Sequence, residues 1–131
     1  MREILFRGIR VDNGEWIYGD VVQFPTHGIV RIVEQEPSYK DAEVDSETVG
    51  QYTGLTDKNG KKIFEGDIVQ EDDVIHNGEI QIKGKVGSIS LEKSCFVVLY
   101  NDTWDFLQTN AKVVLVVGNI YDNPELLEET E

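Results

Sequence analysis

The chain is poor in cysteine, in bases and in long apolar runs, and each shortage excludes something. Its one cysteine, Cys95, cannot form a disulfide within the chain, which fits a reducing cytosol. Twelve Lys and Arg face 25 Asp and Glu, for a formal net charge of −13. Nucleic acids and anionic membranes are gripped by bases that neutralise phosphate, so direct binding to either is not expected. The acids number 10 in residues 1–50 and 15 in residues 51–131, so the charge is not confined to a tail and reads first as solubility. A run such as Val113–Val117 is far too short to span a bilayer, and Arg2, Glu3 and Arg7 interrupt any signal-peptide core. A cytoplasmic protein is expected. One cysteine and two distant histidines, His27 and His76, are too few for a zinc site; both histidines adjoin turns and read as exposed.

What is present is a β-protein's punctuation. Forty per cent hydrophobic residues suffice for a core in one domain or two small lobes. Asn-Gly occurs three times, at 13–14, 59–60 and 77–78, each between apolar runs, and this pair tolerates the positive φ angles of a type I′ hairpin turn. The first strand, over residues 2–11, shifts its apolar phase from Ile4 and Phe6 to Ile9 and Val11, so a kink is expected at Gly8. The return strand Trp16–Phe24 carries Trp16, Tyr18, Val22 and Phe24 in phase, and Ile29–Val33 follows the turn Pro25–Gly28. Residues 34–50 read as an irregular acidic connection, with a short strand near Val44 or a helical turn starting at Ser46.

In the second half, Ile68–Ile75 and Glu79–Leu91 read as paired strands, with a bulge at Gly87-Ser88 where the apolar phase slips. Cys95–Leu99 and Val113–Val117 read as strands covered on both faces, and Trp104–Leu107 as a strand between them. A helical turn is expected after Pro124, with a frayed tail over 128–131. The fold class is therefore mostly β, with two packed small lobes: a meander over 1–45, a connection at 46–50, and an SH3-like or similar small barrel with a short tail over 51–131.

Three stretches carry a family resemblance: Arg2-Glu3-Ile4-x-Phe6-Arg7-Gly8, then Gln51-Tyr52-Thr-Gly54-Leu-Thr-Asp57-Lys-Asn-Gly60 with Ile63-Phe64-Glu65-Gly66-Asp67-Ile68-Val69, then Val117-Gly-Asn119-Ile-Tyr121-Asp-Asn-Pro124-Glu-Leu-Leu127. They resemble the YopX family of small phage and prophage proteins. The resemblance implies a mostly-β fold and a bacterial host cell. It implies no established activity, and no catalytic residue carries over. After Arg7 this chain has Gly-Ile-Arg where the family more often has an Ala-Trp-Asp-like continuation.

No constellation for chemistry stands out. Gly54-x5-Gly60-Lys61-Lys62 has one residue too many for a phosphate loop and lacks its Ser or Thr. Asp73–Gly84 lacks the ligands of a calcium loop at its third and twelfth positions. Cys95 reads as a small buried hydrophobe, and Trp16, Trp104, Tyr52 and Tyr100 as core more than as an interaction groove. The acids Glu71, Asp72 and Asp73 read as a solvated strand end that discourages edge pairing. No catalytic, cofactor or metal residue is assigned. The structural or interaction candidates are Tyr52, Gly54, Asp57, Gly60, Glu65, Gly66, Asp67, Asn119 and Tyr121. The leading expectation is a non-enzymatic module that binds a protein partner or itself. Its rivals are a small-ligand binder or enzyme using the carboxylates of Glu65–Asp73, and an acidic DNA mimic that occupies a host protein.

Overall fold

The computed structural model describes residues 3–24 and 27–128, so Arg2, the turn residues 25–26 and the tail beyond 128 lie outside the described residues. Two compact units divide at Gly54/Leu55. Residues 46–54, expected as a connection and the start of the second lobe, thus belong to the first unit. The chain is mostly β, in antiparallel sheets. Among the described residues no helix is long and apolar enough to cross a membrane.

The first unit contains β1 (Phe6–Ile9), β2 (Trp16–Phe24), β3 (Ile29–Val33), β4 (Asp41–Val44), a 3-10 turn at Ser46–Thr48, and the start of β5 (Gly50–Thr56). Strand β1 lies between β2 and β5, with Phe6 opposite Gly19 and Gln51, and β3 joins β2 to β4. The core is Ile17, Val30, Ile32, Ala42 and Val44.

Three expectations fail here for physical reasons. Gly8 makes no kink, because β1 pairs with β2 in unbroken register. A side-chain carbon at Gly8 would instead stand 3.0 Å from the Val44 Cβ, so this glycine makes room for the core. Strand β2 has the expected bounds and the opposite inner face: Ile17 and Gly19 are buried, while Tyr18, Val22 and Phe24 are exposed. Trp16 lies on that outer face, where the Arg7 guanidinium stands 4.5 Å over its ring. The acidic connection is ordered rather than irregular: the short strand near Val44 and the helical turn starting at Ser46, expected as alternatives, both form, with Ala42 and Val44 buried in β4 and Asp45 capping the turn by accepting the Glu47 N–H.

The second unit contains the end of β5, then β6 (Lys62–Phe64), β7 (Asp67–Glu71), β8 (Val74–His76), β9 (Glu79–Ile82), β10 (Val86–Glu92), β11 (Cys95–Leu99), β12 (Trp104–Phe106), α1 (Leu107–Asn110), a 3-10 turn at Ala111–Val113, β13 (Val114–Asn119) and α2 (Glu125–Glu128). Its main sheet has the order β12-β11-β10-β7-β13, with the last strand beside the first and a three-strand meander on the other side. This order is of the SH3-like small-barrel kind. Ile63, Val69, Ile89, Val98, Leu107 and Val114 form the core.

The two long expected strands are each cut in two, giving a separate hairpin of β8 and β9. The break is at Gly84, where a side-chain carbon would stand 1.7 Å from the Glu71 carbonyl oxygen, and where Asp73 accepts the Gly84 N–H at 2.7 Å. No bulge forms at Gly87-Ser88, which pair in register with Val69 and Ile68. Of the three Asn-Gly turns only Asn77-Gly78 has both residues at positive φ, 53° and 79°, so it alone has the I′ signature. Two strands are less covered than expected, since Leu99, Val113 and Val117 are exposed, and the segment after Phe106 turns into α1 instead of extending the strand. The C-terminal helical turn forms directly after Pro124.

Candidate functional site

The motif at 51–69 builds structure before anything else. Asp57 is buried; its Oδ1 accepts the N–H groups of Asn59 and Lys61 at 2.9 Å, and its Oδ2 accepts that of Val116 at 2.9 Å. Burial pushes this carboxyl up, but the N–H donors of Val116, Lys61 and Asn59 and the Lys61 charge outweigh it, so its pKa lies below the ordinary range. Gly60 closes the turn at φ 86° with its N–H on the Asp57 carbonyl. Gly66, at φ 92°, donates to the Ile89 carbonyl while its own carbonyl accepts from Ile120. Asp67 is buried and takes the Phe64 N–H at 2.7 Å, which fixes the entry to β7. Glu65 is half-buried.

The other candidates are dispersed. Tyr52 is buried in the first unit, its N–H on the Leu5 carbonyl, and Gly54 takes φ 86° where the units divide. The Asn119 side-chain oxygen accepts the N–H groups of Tyr121 and Asp122, which organises the turn after β13. Tyr121 is exposed. These residues hold turns and strand entries.

The carboxylates of 67–73 are likewise divided among separate tasks. Glu71, expected in solvent, is half-buried and accepts the Tyr100 hydroxyl at 2.5 Å. Asp72 pairs with Lys58, and Asp73 holds Gly84. Desolvation, then the hydrogen bond to Glu71 and its charge, raise the Tyr100 pKa far above the ordinary phenol value, so the hydroxyl stays protonated. Lys85 lies 5.5 Å from the Tyr100 ring centroid. Among the described residues no group of three or more His, Cys, Asp or Glu is placed to hold a metal ion.

A concave feature of this unit lies elsewhere, on the outer face of β11 and β12. Cross-strand partners share a face, and the pairs Val97–Phe106 and Leu99–Trp104 place four apolar side chains together. The next residue inward in sequence, Val98, points the other way into the core. Trp104 is 55% exposed and Phe106 47%, their rings edge-to-face at 5.1 Å. With Cys95, and with Glu92 and Lys93 at one end, they line an open groove of about 590 Å³. Cys95 is therefore exposed, not buried, and Trp104 lines a surface instead of the core. The sequence did carry a signal for this groove: Trp104-x-Phe106 and Val97-x-Leu99 each repeat at the period of one strand face.

A family profile described as "YopX protein" matches residues 5–128. The chain belongs to the YopX family. No curated protein matches this YopX-family chain. Among solved structures it is similar to "Crystal structure of protein EF1440 from Enterococcus faecalis", with 24% sequence identity, a TM-score of 0.59, and coverage of 97% of this chain and 99% of that one. At that identity the likeness speaks to the fold: small and all-β.

Proposed function

We propose that this YopX-family chain is a non-enzymatic accessory module of a phage or prophage, acting in the host cytoplasm by binding protein through the groove of β11 and β12. The observation that carries this is an apolar, aromatic-lined groove on the last two strands of a meander, Trp104 and Phe106 half open to solvent. Aromatic side chains of this kind are the usual anchors of protein interfaces, since one flat ring supplies a large contact area with few rotamers to fix. Of the acids that an enzymatic reading would use, Glu65 to Asp73, four have separate partners: Asp67 with Phe64, Glu71 with Tyr100, Asp72 with Lys58 and Asp73 with Gly84.

The test is affinity capture from host cells with the wild type and with Trp104→Ser and Phe106→Ser, the retained proteins being identified by mass spectrometry. Wild type should retain a specific protein, a second copy included, and both variants should lose it. Equal retention by all three would end the reading.

A further inference from the structure

We infer that the groove's occupant is the β8–β9 hairpin of a second copy of this chain, an inference that rests on the protein-binding reading above. The hairpin spans Val74–His76 and Glu79–Ile82, and Val74, Ile75, Ile80 and Ile82 are all between 51% and 63% exposed. Val74 pairs with Ile82 and Ile75 with Ile80, the register skipping Gln81. Neighbours on β8 point to opposite faces and paired residues share one, so each face of the hairpin carries an aliphatic pair. A hairpin lying along its own sheet would show one apolar face and bury it. This one is apolar on both sides and half open to solvent on each, as an arm that enters another molecule would be. A two-stranded hairpin alone is marginally stable in water, so such a contact would also secure it.

Area and charge favour a second copy as the host. Each half-exposed aliphatic or aromatic side chain presents on the order of 100 Å². The four of the hairpin then offer on the order of 400 Å² and Leu99, Trp104 and Phe106 on the order of 300 Å², so in a reciprocal dimer, where each copy gives both its arm and its groove, each partner contributes about 700 Å², near the roughly 800 Å² of a standard interface. Two chains of net charge −13 repel, and they can meet only where acids are sparse. The hairpin carries one acid, Glu79, and the groove one base, Lys93, beside Glu92. Glu79 on the arm and Lys93 on the rim are opposite in sign, which gives the contact a direction.

Sedimentation velocity over a concentration series, at about 0.15 M and about 0.5 M salt, tests this on the full chain. Wild type should exceed the monomer mass, more so at the higher salt, which screens the repulsion. Ile80→Asp in the arm and Trp104→Ser in the groove, each checked for an unchanged circular dichroism spectrum, should both be monomers. Glu79→Lys and Lys93→Glu should each weaken association about three-fold, and the double exchange should restore it. Alkylation of Cys95 gives a second readout: slow in the wild-type assembly, fast in Ile80→Asp. A wild type that stays monomeric at every concentration overturns the inference, as does an assembly that survives either Ile80→Asp or Trp104→Ser. A monomer that still captures a host protein through Trp104 would remove the hairpin as occupant and leave the proposed function standing.

Discussion

Gly84 approaches Glu71 so closely that a side-chain carbon there would stand 1.7 Å from the Glu71 carbonyl oxygen. The segment between β9 and β10 must move away from the end of β7 for any larger residue, because the obstacle is backbone. Gly84→Ala should therefore cost about 3 kcal/mol or more in urea denaturation. The Glu71 N–H, bonded to the Lys85 carbonyl at 2.8 Å, should lose its protection from hydrogen exchange. Gly78 has nothing within 4 Å and only its positive φ to satisfy. Gly78→Ala should cost no more than about 1–2 kcal/mol.

Asp57 serves three backbone donors with two oxygens. Asp57→Asn leaves one oxygen and places an N–H₂ against a donor, so a loss of about 2–3 kcal/mol is expected. The pH dependence follows from the depressed pKa. In the unfolded chain the carboxyl holds its proton to a higher pH than in the folded one. The stability it supplies is therefore present above the ordinary Asp value of about 3.9 and lost as pH falls through the lower folded value. Acid titration of stability should show this limb in the wild type and a shallower one in Asp57→Asn.

Tyr100 works at the other end of the scale. Its raised pKa makes its contribution complete below the ordinary phenol value of about 10 and lost as pH climbs beyond it. Ultraviolet titration should show a phenol that resists ionisation until the protein unfolds in alkali, and Tyr100→Phe should remove that late phase. The same variant leaves Glu71 without its donor and should cost about 1–2 kcal/mol near neutral pH.

Gly66 sits at φ 92° with both its N–H and its carbonyl engaged across the unit. Gly66→Ala should cost about 1–2 kcal/mol or more, read as a lower melting temperature with the same native fold.

Local chemistry made much of this legible. The bounds of β2 and β3, the glycine turns and the helical turn after Pro124 all follow from residues adjacent in sequence. What escaped depends on distant neighbours. The outer face of β2 holds more apolar residues than the inner one, and Trp16 there meets Arg7, which comes from another strand. The apolar phase slip near Gly87 was real, yet the break sits at Gly84, because Glu71 comes too close there. Asp57 was identifiable as a turn residue, whereas its bond to β13 was invisible to any local window. Trp104 and Cys95 looked like core by type, and only the pairing of β11 with β12 shows them on the outer face.

The bond between Asp57 and Val116 spans 59 positions of the chain. During synthesis the turn at 57–60 leaves the ribosome long before its mate does. Closing so long a loop is entropically slow, and the buried carboxylate has no third donor until β13 arrives. The second unit can thus finish folding only after β13 has been made. A transcript truncated before Val116 would release a product whose most distinctive sequence is intact and whose fold is not.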